Sequence, residues 1–122
     1  MREPTYFVLA SLLDGPLHGY AIIKRAGELS GGRVHLATGT LYTALDRLTD
    51  EGQVRLVSEE TVAGRVRLSY GLTEEGAAAL RAEAQRMAEA ARVVAEAESR
   101  IAPGLPGLPG LPGLPGRKPR TA

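Results

Sequence analysis

Thr40, Thr43 and Arg47 recur at intervals of three and four along Gly39-Thr40-Leu41-Tyr42-Thr43-Ala44-Leu45-Asp46-Arg47-Leu48. At about 100° per residue, that spacing puts two hydroxyls and a guanidinium on one face of a helix. The set suits the edges of base pairs. Threonine offers a hydroxyl and a methyl group, and arginine can bridge the two acceptors of a guanine. Arg65 and Arg67 alternate along a strand-like run, and arginines so placed can enter a narrow minor groove, where negative potential is concentrated. Tyr42, at the border of the helix, and Tyr20 and Lys24 upstream add groups able to reach phosphate oxygens.

Each of these residues has a plainer reading. Thr40, or Thr38, could cap the helix that follows. Arg47 stands three and four residues before Asp50 and Glu51 and could pair with either across a solvated helix face. Tyr42 could simply pack at the rim of the core. Asp46, Asp50 and Glu51 work against phosphate binding. Catalytic patterns are missing. Glu59-Glu60 and Glu74-Glu75 are adjacent pairs with no nucleophile or base nearby in sequence, so they read as solvated charge. No phosphate-cradling glycine loop or hydrolase elbow is present. His18 and His35 are the only histidines and there is no cysteine, which argues against a metal site; His18, at a helix start, reads as a partner for backbone. The chain is expected not to be an enzyme and to need neither cofactor nor metal.

The elements that would position these groups follow from the hydrophobic pattern. Leu41, Leu45 and Leu48 form a narrow apolar stripe opposite Thr43 and Arg47, and Gly52 suits a left-handed helix end. Tyr6 to Leu13 reads as a first helix with Pro4 in its first turn, broken at Asp14-Gly15-Pro16. His18 to Leu29 reads as a second, ended by Ser30-Gly31-Gly32. Val54 and Leu56, then Val66, Leu68, Tyr70 and Leu72, alternate with polar residues as a hairpin with one buried face, its tip at Glu59 to Gly64. Thr73-Glu74-Glu75-Gly76 starts a last helix, with acidic residues where the helix dipole favours them.

That helix runs to about Ile101. Leu80, Met87, Val94 and Ile101 recur every seven residues, with Ala77, Ala84 and Ala91 between them, as in a coiled-coil seam. Leu80, Ala84, Met87, Ala91 and Val94, with Tyr6, Phe7 and Ala10 of the first helix, are the expected dimer interface. Left exposed, such a seam would be a patch that monomers avoid. The expected fold is mainly α with a small β-hairpin: a winged helix-turn-helix plus a long C-terminal dimerisation helix. The expected spans are 1–73 for the winged domain, 74–102 for the helix and 103–122 for a disordered tail of Gly-Leu-Pro repeats with a basic end.

Bulk composition leaves this reading to local placement. Fifteen basic and 14 acidic residues give a net charge of +1, so overall charge does not point to nucleic acid. With 43% hydrophobic and 4% aromatic residues and no Trp, the core must be built of aliphatics and gains from burial against a second subunit. No apolar run approaches a membrane span, and Met-Arg-Glu-Pro leads into a helical pattern without a signal-peptide layout; the expected location is the cytoplasm, with no membrane partner.

Leu17-His18-Gly19-Tyr20, Gly39-Thr40-Leu41-Tyr42 with Ala44-Leu45-Arg47-Leu48, Glu51-Gly52 and Tyr70-Gly71-Leu72-Thr73-Glu74-Glu75-Gly76 together resemble the PadR family of bacterial transcriptional regulators, over about Leu9 to Leu80. The resemblance implies a winged helix-turn-helix with a C-terminal dimerisation helix, in the subgroup with a single such helix. Thr43 stands where the family commonly has proline, and Gly71 where a bulkier residue is usual. The implied function is a homodimeric, sequence-specific regulator, a repressor, on double-stranded DNA with a near-palindromic operator, open to a small-molecule effector of unspecified identity. Two other readings remain at this point. One is a winged protein-interaction module without DNA readout, favoured by the near-neutral charge. The other is a small-molecule binder, for which aromatic lining is sparse.

Overall fold

Leucines spaced three and four apart decide where the helices bury themselves. In α3 (Thr38–Asp50), Leu41, Leu45 and Leu48 are all fully buried. They meet Val8 and Leu9 of α1 (Glu3–Ser11), Leu12 just beyond it, and Ile22 of α2 (Gly19–Leu29) in one core cluster. The computed structural model describes residues 1–101; the Gly-Leu-Pro repeats and basic end, expected to be a disordered tail over 103–122, lie outside the described residues. Pro4 has no N–H to leave unsatisfied, and the helix therefore starts around it at Glu3, earlier than the apolar pattern beginning at Tyr6 suggests. Leu12 and Leu13, read as helix, donate instead to Leu9 and Ala10 in a tightening turn. Buried Ser30 satisfies itself by donating to the Gly27 carbonyl at 3.1 Å and accepting the Val34 N–H at 2.9 Å.

The sheet has three antiparallel strands where the sequence suggests two. The extra one is β1 (Leu17–His18), paired with Tyr70 and Ser69 of β3 (Arg65–Leu72). β3 in turn pairs with β2 (Val54–Val62), giving the order β1-β3-β2. Two residues are too few to show an alternating pattern, which is why β1 is invisible in the sequence. The hairpin also runs further than expected. Its tip is Ala63-Gly64 and not Glu59 to Gly64, with φ of +52° and +76°. Two positive φ values fit the tight turn whose twist matches the flanking strands. The buried face is confined to the base: Val54 and Tyr70 are buried, whereas Leu56 and Val66 are 47% and 61% exposed. A bulge at Val57 interrupts the register between Leu56 and Ser58.

α4 (Glu74–Ile101) starts at Thr73, whose hydroxyl donates to the Gly52 carbonyl at 2.6 Å and accepts the Gly76 N–H at 2.9 Å. The chain divides into two compact units, residues 1–84 and 85 onward. Within the first, Gly76 and Leu80 are buried. Leu80 is therefore a core residue of its own chain, and its expected burial between subunits is corrected accordingly. In the second unit the described residues are helical, and Met87, Ala91 and Val94 are exposed on them.

Candidate nucleic-acid interface

The motif Leu17-His18-Gly19-Tyr20 has a separate physical task for each residue. Leu17 pairs in the sheet. His18 is the N-cap of α2, its Nδ1 accepting the Ala21 N–H at 3.3 Å, so it serves the backbone as its position at a helix start suggests. Gly19 leaves room for Tyr42: a Cβ there would lie 2.5 Å from the phenol oxygen. Tyr20 is 73% exposed. Behind Tyr42 sits Tyr70, with ring centroids 6.4 Å apart. Burial pushes the Tyr70 phenol above its ordinary pKa, helped by the Asp46 carboxylate and by Tyr42. Tyr42 is thus packed on its inner side, and its outer side reaches the surface.

That surface is a groove of about 420 Å³ lined by Tyr20, Thr38, Tyr42, Arg65 and Arg67, among others. It brings the wing arginines beside α2 and the start of α3. Arg65 and Arg67 stand across β2 from Val62 and Glu60, and both are exposed. Lys24 lines an adjoining hollow with Tyr20, Ile23 and His35. Among the described residues, no ion pair engages Lys24, Arg65 or Arg67. Three cations on one winged unit are therefore left to solvent or to an anion.

Thr40, Thr43 and Arg47 come together elsewhere, on a shallow hollow along α3 shared with Gly39 and Ala44. Of the three, Arg47 is already engaged. Its guanidinium donates to Thr5 Oγ1 at 3.0 Å and to Glu51 Oε1 at 3.4 Å. Arg47 thus lines one hollow with the two threonines, and Arg65 and Arg67 line the other with the two tyrosines.

Neither threonine caps α3. The N-cap is Ala37, extended at φ −72° and ψ 152°, with no side-chain acceptor; Thr38 is the first helical residue and Thr40 lies in the first turn. Threonine's preference for caps points one residue too late. Consequently the α3 N-terminus keeps N–H groups without a side-chain partner, the kind of end that suits an anion. Thr38 and His35, which the sequence does not single out for this surface, line the groove and its neighbour; a linker composition carries no signal for them. Of the remaining expected interface residues, Tyr6, Phe7, Ala10 and Ala84 are half-buried. Tyr6 and Phe7 meet edge to face, 5.2 Å between centroids. No cluster of three or more metal-capable side chains occurs among the described residues, and none of their helices is long and apolar enough to cross a membrane.

Three helices with a packed inner stripe, a hairpin beside the third, and an exposed outer face on that third helix define a winged helix-turn-helix. Residues 8–82 match the model of the transcriptional regulator PadR-like family. The chain belongs to that family, whose identity is that of a regulator and not of an enzyme. It is 36% identical over 96 residues to the transcriptional regulator Rv3488 of Mycobacterium tuberculosis, covering 78% of this chain and 85% of that protein. It is 43% identical over 87 residues to an uncharacterized 37.1 kDa protein in transposon TN4556 of Streptomyces fradiae, covering 71% of this chain but only 24% of that protein's length. Among solved structures, Bacillus subtilis PadR in complex with operator DNA superposes with a TM-score of 0.58 at 29% identity, over 66% of this chain and 46% of that one.

Proposed function

We propose that the chain is a homodimeric, sequence-specific DNA-binding repressor acting on a near-palindromic operator. The observation that carries the reading is the groove where unpaired Arg65 and Arg67 adjoin Tyr20, Tyr42 and the uncapped start of α3. Backbone phosphates are held there and by Lys24, while the outer face of α3 enters the major groove with Thr40 and Thr43 toward base edges. Arg47 joins them only by exchanging its bonds to Thr5 and Glu51 for DNA; that pair is half exposed, and such pairs are worth about 0–1 kcal/mol, so the exchange is cheap. That the Bacillus subtilis relative was solved in complex with operator DNA supports DNA as the partner.

Dimerisation is supported by the exposed Met87, Ala91 and Val94 on α4, with Tyr6, Phe7, Ala10 and Ala84 half-buried. Leu80 belongs to the core and drops out of this surface. The proposed organisation is a winged domain over 1–73 followed by a dimerisation helix from residue 74, whose first turns also complete the winged domain's core. Two-fold symmetry sets half-sites about 10 bp apart or a multiple of it. Repression follows by occupancy of a promoter, and an effector would act by shifting the population between DNA-competent and incompetent dimers. Acidic Asp46, Asp50 and Glu51 along α3 favour, as the second reading, a winged interaction module that has lost DNA readout.

Binding of labelled duplexes from the promoter beside the gene, challenged with excess random DNA, tests both readings; absence of any sequence preference leaves the second. Met87→Glu tests the assembly. In a dimer it would bury a carboxylate twice, at about 3–5 kcal/mol each, and the variant is expected to sediment as a folded monomer without operator binding. A Met87→Glu protein that stays dimeric puts the interface elsewhere.

A further inference from the structure

We infer that the first two turns of α3 select thymine through its C5-methyl group, with Thr43 as the discriminating side chain. This rests on the DNA-binding reading above and names the base chemistry of its half-site. The exposed hollow along α3 is lined by Gly39, Thr40, Thr43, Ala44 and Arg47. Side chains that read purine edges bidentately are arginine, lysine, asparagine and glutamine. From Thr38 to Ala44 there is none, and Arg47, a full turn beyond Thr43, is held by Thr5 and Glu51. What this part of the helix presents is small and methyl-bearing. In the major groove the base feature that matches a methyl is the thymine C5-methyl, with the O4 acceptor beside it for a hydroxyl donor.

The hydroxyls are available for that role. Thr49, later on the same helix, donates its own to the Leu45 carbonyl at 2.7 Å. Among the described residues no such bond occupies Thr40 or Thr43.

Gly39 supplies a second, independent observation. Glycine weakens a helix relative to alanine, so its presence in one usually has a packing or backbone cause. Gly76 and Gly19 have theirs, since a Cβ would strike Gln53 in the first case and Tyr42 in the second. Gly39 has neither: its φ is not positive, and a Cβ would meet nothing within 4 Å. Within the chain, the space in front of it is open. That open space, one turn before Thr43 on the exposed face, lets an outside molecule approach the helix backbone and sets Thr43 against the base edge.

Full-length protein would be used to select duplexes from a pool with a randomised core of about two helical turns, or 20 bp. The enriched duplex is then resynthesised with deoxyuridine in place of thymidine, one position at a time. This removes the C5-methyl and leaves the pairing unchanged. At one position per half-site the replacement is expected to lower affinity roughly fourfold, and roughly fifteenfold when both half-sites carry it, as burial of a single methyl implies. Thr43→Val keeps the side-chain methyl and should keep this sensitivity; Thr43→Ser loses the methyl and should lose it. Position 43 is exposed, so both variants fold. Equal affinity for every uridine-containing duplex overturns the inference, and so does a Thr43→Ser protein as sensitive as the parent. A pool that yields no enriched sequence overturns the DNA-binding reading itself, and the two failures are thereby distinguished.

Discussion

Gly76→Ala sets helix propensity against packing, and the structure says which is larger. The residue lies in the first turn of α4, where alanine should gain up to about 1 kcal/mol over glycine. Its Cβ, however, would press on the Gln53 carbonyl oxygen and come within 2.9 Å of both the Gln53 carbonyl carbon and Leu72 Cδ1. Gln53 cannot simply retreat. Its N–H donates to the Leu48 carbonyl at 2.9 Å, and its own carbonyl accepts the Thr73 N–H at 3.1 Å. Retreat of α4 instead stretches the Thr73 cap at Gly76 and the Thr73 hydroxyl's bond to Gly52. Overpacking of this kind costs about 1–3 kcal/mol, and a weakened cap adds about 1 kcal/mol. Net destabilisation should be about 1–3 kcal/mol, which for a domain of this size lowers Tm by roughly 5–20 °C. Thermal unfolding followed by circular dichroism measures it. Gly39→Ala is the internal control, because nothing opposes the helix gain there; its Tm should rise slightly. A Gly76→Ala protein as stable as the parent, or more so, would refute the claim that backbone contact with Gln53 dictates glycine at this position.

Arg65→Ala combined with Arg67→Ala should weaken DNA binding and lower the salt slope by about 0.9 for each phosphate left without its arginine; an unchanged slope in the folded double variant removes the wing from the interface. Ala63→Asn should raise stability by about 0.5–1 kcal/mol, read as a higher urea midpoint, because alanine at φ +52° is strained and an Asn-Gly pair suits this turn. The Glu3 carboxyl is held below its ordinary pKa by the hydrogen bonds and charge of Arg33, whose guanidinium lies 2.6 Å away. A lowered folded-state pKa stabilises above the unfolded value, near 4.5, and that contribution is lost as pH falls through the folded one. Urea midpoints of the parent should therefore exceed those of Glu3→Gln at neutral pH and converge with them in acid; a difference independent of pH would show that the ion pair is not its source.

What the sequence made legible was periodic. Leu41, Leu45 and Leu48 repeat at helical spacing, and that alone placed the inner face of α3 and, by subtraction, its exposed Thr43 and Arg47. Gly52, at φ +75°, ended the helix where its position suggested. Periodicity also carried Leu80 too far. The heptad from Leu80 to Ile101 is continuous in sequence, yet its first member is claimed by Val8, Leu9 and the rest of the winged core. A repeat records that one face is apolar; it cannot record where along the helix the partner of that face changes.

The features that escaped depend on partners distant in the chain. β1 exists because Leu17 and His18 find Tyr70 and Ser69, more than fifty residues on. Arg47 looked free for bases with only its near neighbours in view, and Glu51 was a foreseeable partner, but Thr5, 42 residues away, was not. The cap of α3 failed for the opposite reason, a local rule applied where geometry had another answer. Ala37 turns extended and leaves the helix end bare, although a threonine stands beside it. Within the fold that bare end is a small loss of stability, because a side-chain cap is worth about 1 kcal/mol. It lies beside the unpaired arginines of the wing, so the local rule breaks at the place where an outside anion would satisfy the same N–H groups. The mismatch between sequence rule and structure thus falls on the surface proposed to bind DNA, where, unlike in a core, a polar group left unsatisfied within the fold stays available to a partner.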